Sequence, residues 1–350
     1  MSLNLVVIGA GAVTPVGFTA PQTCEAIRAG ISGVGDAMVG VPPEEPQLGA
    51  TVPAGLLLKV TQFQWLKNLA VRAIKECLEV ESPEASETAL LIAMPEKFRN
   101  HPAFYENSAA DLYRAIEHDI GNNFHSTSKV IQGGHASTLQ AVSIANALLL
   151  KREVRYCIVG GVDSLVNKND LNRLSAANRI YDSENSQGVV PGEAASFILL
   201  TLKGNNNNIR STQLAQILGV GSAVEQDSIL GQRYSVGLGL HQALINTTKN
   251  AALKEDNIDF LISDVNGERY RVWESTMCHA KYYRTRRETL ISWYPAKSVG
   301  DIGAAAGALN IIVAVMAVFR GYAPGSTVMC EGASEEGLRA GCLVGRSVVA

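Results

Sequence analysis

Gly133-Gly134-His135-Ala136-Ser137 heads an apolar stretch that closes on Lys151-Arg152, and the run Tyr156 to Val159 follows it. The same pattern recurs later in the chain, where Gly303-Ala304-Ala305-Ala306-Gly307 heads an apolar stretch closing at Arg320, followed by Thr327 to Cys330. A small-residue helix start, an apolar helix and a strand, twice over, reads as an internal duplication. Where two such helix starts face one another, both glycine-rich turns meet at one shared site. Glycine and alanine let two buried helices approach closely, and helix N-termini carry free amide donors.

Outward from this pair, Leu5-Val6-Val7-Ile8 has the continuous apolar character of a strand buried on both faces, and Gly9 to Pro15 reads as the turn that leaves it. A helix is expected from about Pro21 to Arg28. Further strands are expected at Ala89 to Ala93, Phe197 to Leu200 and Phe260 to Ile262, alternating with helices such as Gln64 to Leu78 and Thr138 to Leu150. That alternation predicts an α/β fold with mainly parallel sheets. The polar tract Lys203-Gly204-Asn205-Asn206-Asn207-Asn208 reads as a linker, dividing the chain into halves at 1–203 and 209–350.

The 350 residues carry 47% hydrophobic and 18% charged side chains, with 32 glycines, a composition that excludes disorder, collagen-like repeats and coiled coil. A net charge of −3 offers no general attraction to nucleic acid or anionic lipid. Six cysteines without CxxC or metal-like spacing, and no signal-peptide pattern, predict reduced thiols, no metal and a cytoplasmic protein. Ala304 to Phe319 falls short of the ~20 apolar residues of a membrane span and reads as a buried core helix. Gly9, Gly11 and Thr14 make only a broken dinucleotide fingerprint, and no cofactor is expected.

Four segments, taken together, resemble the β-ketoacyl-acyl-carrier-protein synthases of the thiolase superfamily. They are Val6 to Gly17, Cys24 to Gly30, Tyr181-Asp182 followed by Gly188-Val189-Val190-Pro191-Gly192-Glu193-Ala194-Ala195, and Pro295-Ala296-Lys297-Ser298-Val299-Gly300 with Gly307-Ala308. The resemblance runs from about residue 3 to residue 345. It implies a five-layer αβαβα fold of two duplicated βα halves, a dimer, and an active site where the halves meet. It also implies a cysteine nucleophile at the first buried helix and two histidines from the second half. A thiolate at a helix N-terminus takes the acyl group, and the histidines stabilise enolate and oxyanion.

The chain departs from that pattern at all three places. The nucleophile position is His135, the first histidine position is Asn266 (in Asn266-Gly267), and Asp301 follows Gly300 where the second histidine belongs. Glu268-Arg269-Tyr270-Arg271 replaces a threonine-rich stretch, and Cys330 to Ser334 replaces a phenylalanine-glycine gate. Losing a soft nucleophile and both oxyanion donors removes the means of both half-reactions. His135 is also a poor acyl store, because an acyl-imidazole hydrolyses readily and an imidazolium is disfavoured at a helix N-terminus.

Two readings of the site stay open. In one, His135 is a hydrogen-bonded core residue with Asp301 a helix-start acid. In the other, His135 is a general base oriented by Asp301, with the Asn266 amide facing an oxyanion, which makes a thioester hydrolase or acyltransferase. Glu193 and Lys297 match retained positions near the family's site and are expected to pair structurally, or to contact substrate with Ser137 and Gly300. Ser137 is either a cap or a minor nucleophile candidate. Arg284, Arg286 and Arg287, with Lys281, Arg269 and Arg271, form the one basic concentration, which reads as a solvated loop or a dock for acidic carrier protein. The short stretch between Glu96 and Gly133 predicts a reduced tunnel in a chain shorter than its relatives. The expectation is a non-condensing dimer subunit, homo- or heterodimeric, binding acyl carrier protein or acyl chains in fatty acid or polyketide metabolism.

Overall fold

The opening apolar run becomes β1 (Leu5–Val13), but the strand does not turn out at the glycines. It continues through them with a register shift between Val7 and Gly9. The glycines serve helix packing. A Cβ on Gly9 would lie 2.4 Å from the Cys77 carbonyl oxygen and one on Gly11 2.0 Å from that of Ala73, so only a bare strand lets the helix Gln62–Glu79 lie this close.

The computed structural model describes residues 3–37, 47–53, 61–79, 81–99, 108–121, 123–204 and 213–346. The asparagine tract expected to link the halves lies outside them, apart from the exposed Gly204 and half-buried Lys203. After β1 come α1 (Ala20–Arg28), the paired short strands β2 (Val34–Asp36) and β3 (Leu48–Ala50), α2 (Gln62–Glu79), β4 (Thr88–Met94), α3 (Ala109–Ile120), β5 (Lys129–Gln132), α4 (Ser137–Leu150), β6 (Tyr156–Ser164), α5 (Lys168–Ala176) and β7 (Glu193–Leu202). The later elements are β8 (Ala215–Val224), α6 (Leu238–Ala251), β9 (Phe260–Ser263), α7 (Arg269–Tyr282), β10 (Ile291–Trp293), α8 (Ala296–Val299), α9 (Ala306–Arg320), β11 (Thr327–Ala333) and β12 (Leu338–Gly345).

Ten strands form one continuous sheet in the order β10-β9-β11-β12-β8-β1-β7-β6-β4-β5. Numbered within its own group of five, each side runs third, second, fourth, fifth, first, and the two groups join where β1 pairs with β8. The duplication read from the two glycine-rich helix starts is therefore present in the topology. The sheet is mixed, not mainly parallel. β4 pairs parallel with β5 and β6, and β9 with β10 and β11, while the other five adjacencies are antiparallel. In each group the fifth strand returns antiparallel to the fourth, by way of α5 in the first group and directly in the second, which apolar runs alone do not reveal.

Three apolar clusters lie between the layers. One joins α2 and α3 to strands of the first group, a second joins α6 and α7 to strands of the second group, and the largest holds α4 and α9 between both. This is a five-layer αβαβα arrangement, with α4 and α9 as the middle layer. α9 is buried over 13 residues, Ala306 to Val318, and the 18-residue apolar stretch Gly303–Arg320 is 83% buried, as expected of a core helix enclosed between the two halves of the sheet.

Candidate functional site

The two helix starts do face each other. A Cβ on Gly307 would lie 3.1 Å from the His135 carbonyl oxygen, and the Thr138 hydroxyl donates to the Ala304 carbonyl at 3.1 Å. Their amides, however, are already engaged. The Ala136 N–H, which precedes α4, donates to Ser334 Oγ at 2.9 Å, and that hydroxyl donates onward to the Gly133 carbonyl at 2.5 Å. At the second start, the Gly303 N–H donates to Asp301 Oδ1 at 3.0 Å and the Ala304 N–H to Asp163 Oδ2 at 2.9 Å. The amides of Ala136, Gly303 and Ala304 at these starts are thus satisfied by the protein's own side chains.

His135, Asp301 and Asn266 converge, although they come from three separate loops. His135 Nε2 lies 2.6 Å from Asp301 Oδ1, and the Asn266 side-chain amide donates to Asp301 Oδ2 at 2.7 Å. His135 and Asp301 are buried, 7% and 6% exposed. Burial by itself would lower the imidazole's pKa, but the charge and hydrogen bond of Asp301, with Asp264 and Glu96 adding to them, raise it to about 9. Burial would raise the Asp301 carboxyl, yet His135, the Gly303 N–H and the Asn266 amide hold it well below the usual carboxylate range. An imidazolium is thus favoured at this helix start, contrary to the dipole argument, because carboxylates within the fold outweigh partial backbone charges. Glu96, whose oxygens accept the Glu335 and Glu336 N–H groups, is pushed up to about 7 by burial against those donors and His135.

Arginine–carboxylate pairs fill the surroundings. Arg99 binds Asp163 at 2.6 Å and Asp170 at 2.8 Å, all three being buried. Arg179 forks onto Glu268 at 2.6 and 3.0 Å and reaches Glu335 at 2.7 Å, where Arg173 also binds at 2.9 Å. Arg271 pairs with Asp264 at 2.5 Å and with Glu274, which Arg339 also binds at 2.8 Å. The cavity beside His135, Asn266 and Asp301 measures about 10 Å³, room for at most one water. His135 Nδ1 has no hydrogen-bond partner within the protein. Outside it lies a polar hollow of about 380 Å³ lined by Arg233, Tyr234 and Arg269 among others. Arg179, Ile229, Glu268 and Tyr270 border both spaces.

Other expected site residues fall elsewhere. Lys297 and Glu193 do not pair. Glu193 is buried and accepts from the Val52 N–H, Trp65 Nε1 and Ser164 Oγ, each at 2.9 Å, whereas Lys297 is exposed with its ammonium 5.3 Å from the Tyr294 ring centre. Burial raises the Glu193 pKa against those three donors. Ser137 is fully buried and donates to the Gly134 carbonyl at 2.5 Å, so it neither caps α4 nor faces a ligand. Gly300 adopts φ 67°, and a Cβ there would meet the Val190 and Pro191 carbonyls at 2.9 and 3.0 Å, so its role is to seat Asp301. In the basic segment Arg284 and Arg286 are exposed, but Arg287 is tied to Glu255 at 2.6 Å and to the Ile258 carbonyl at 3.0 Å, and Arg271 is internal. All six cysteines are buried and free. Arg99, Asp163, Asp170 and Arg179 drew no attention in the sequence. The one local sign was Asp163, a carboxylate at the end of the buried strand β6.

No protein-family model matches the sequence, and no curated protein matches it. Solved structures do match in shape. The ishigamide ketosynthase/chain length factor superposes with a TM-score of 0.83 at 15% identity, covering 99% of this chain and 100% of that one. A type II polyketide synthase acyl-carrier protein in complex with its ketosynthase bound to the hexaketide gives 0.83 at 13%, with the same coverages. The ketosynthase from module 6 of the bacillaene synthase of Bacillus subtilis gives 0.80 at 12%, covering 99% of this chain and 72% of that one. The chain therefore has the thiolase-like ketosynthase fold.

Proposed function

We propose that this ketosynthase-fold protein does not condense acyl thioesters and acts as the structural companion of an active synthase. One observation carries the reading. The groups at the junction of the two helix starts bind one another, and the space beside His135 is about 10 Å³. Condensation needs a nucleophile, vacant oxyanion donors and room for an acyl chain. Here the Ala136 amide is held by Ser334, the Gly303 amide by Asp301, and His135 is paired with Asp301. On this reading His135, Asn266 and Asp301 stand in the places of the cysteine and two histidines, with the halves meeting between 203 and 209.

Likeness to a ketosynthase/chain length factor, and to a ketosynthase captured with its carrier protein, supports a dimeric partner role in polyketide or fatty acid assembly. Arg284 and Arg286, exposed and without carboxylate ion pairs among the described residues, would supply carrier docking. A cytoplasmic setting fits the six unpaired thiols. The test supplies acyl- and malonyl-carrier thioesters to the purified protein. No β-ketoacyl product is expected, and condensation abolished by His135→Ala would overturn the proposal. Co-purification with intact-mass analysis then identifies the companion.

The trio's convergence favours a second reading, thioester hydrolysis with His135 as base. Its charge state weighs against it, since an imidazole raised to about 9 is already protonated at neutral pH. Thioester cleavage that disappears in Asp301→Asn would establish it, and background hydrolysis unchanged by that substitution would dispose of it.

A further inference from the structure

A second cavity, about 400 Å³, opens between α1, β10, α8 and α9, and shares no lining residue with the His135 cavity or the hollow outside it. Its volume lies within the range of small-molecule sites. The inner wall is apolar, with Ile27 from α1 and the buried Val313 from α9. Trp293 and Tyr322 present rings with centroids 6.3 Å apart and planes within 24°. Trp293 is braced from behind by Phe260 at 4.8 Å, so this flat wall is fixed in place.

The rim carries positive charge. The Arg28 guanidinium sits 4.5 Å from the Tyr322 ring centre, and the Lys297 ammonium 5.3 Å from that of Tyr294. Glu25, the carboxylate nearest Arg28 at 3.5 Å, also binds Arg320, so one negative charge faces two guanidiniums. Lys297 has no carboxylate ion pair among the described residues. The thiol of Cys24, in the same cavity, is pushed up to about 12 by burial and is neutral.

A rigid aromatic wall with excess cation at its mouth suits an organic anion with a flat apolar body. We propose that this cavity binds an aromatic carboxylate, its ring against Trp293 and Tyr322 and its carboxylate between Arg28 and Lys297. The site does not depend on the companion-subunit reading, since condensation assays leave it untouched.

The probe is 2-naphthoate, titrated into the full-length protein by calorimetry and by tryptophan fluorescence, with neutral 2-naphthamide as control. Saturable binding is expected, with the amide weaker by about tenfold and affinity falling as salt rises. Lys297→Gln and Arg28→Gln alter exposed side chains and leave the fold intact, and each should weaken naphthoate by about fivefold or more while leaving the amide unchanged. No saturable naphthoate binding, equal binding of acid and amide, or indifference to both substitutions would overturn the assignment.

Discussion

Asp301→Asn tests whether the His135 cluster is structural. The substitution keeps the shape and the reach toward the Asn266 amide and Gly303 N–H, but removes the charge 2.6 Å from His135 Nε2. The rise of that imidazole from 6.5 to about 9 corresponds to about 3 kcal/mol, at the low end of the roughly 3–5 kcal/mol lost when a buried pair is broken. The pH dependence has a definite sign. A raised histidine pKa contributes stability that is fully present below 6.5 and is lost as pH rises through 9. In the variant the buried imidazole is neutral when folded, so the penalty is largest near pH 6 and shrinks toward about 1 kcal/mol near pH 10. Urea unfolding of both proteins across that range measures it. His279, also raised, by its contact with Glu331 against burial, gives both proteins the same slope and cancels in the difference. A penalty under about 0.5 kcal/mol at pH 6, or one independent of pH, would refute the reasoning.

Three further outcomes follow from the packing. His135→Cys should neither condense nor react quickly with maleimide, because the adjoining space is about 10 Å³ and the neighbouring amides are taken; rapid labelling would show the site is open. Arg99→Leu leaves the buried Asp163 without its guanidinium, while Asp170 keeps Arg173 and the Asn167 amide, a loss of about 3–5 kcal/mol by urea unfolding that adding Asp163→Asn should partly restore. Gly11→Ala drives a methyl to 2.0 Å from the Ala73 carbonyl oxygen, costing about 1–3 kcal/mol or more. An unchanged unfolding midpoint there would contradict the close seating of α2 on β1.

For the partner role, the ion pairs between the two spaces matter more than the charge of the trio. Arg179, bound to Glu268 and Glu335, stands between the outer hollow and His135. A carrier arm entering that hollow would meet these paired charges. On the proposed reading, buried pairs that are costly to break one partner at a time rigidify the junction of the two groups of strands, which would suit a subunit whose contribution is its shape.

What the sequence determined by itself was whatever repeats locally. Apolar runs marked β1, β4, β6, β7, β9 and β11, the two small-residue helix starts announced the duplication, and the positions of His135, Asn266 and Asp301 singled out a trio that the fold does assemble. Only the tertiary structure decided the antiparallel return of β7 and β12, the passage of β1 through Gly9 and Gly11 beneath α2, and the outward turn of Lys297 away from Glu193. It alone also set the charge of His135 and the filling of its surroundings. Burial and ionisation depend on which groups arrive from far along the chain: Asp301 stands 166 residues from His135, and Asp170 71 from Arg99. Such separations leave no periodicity to read.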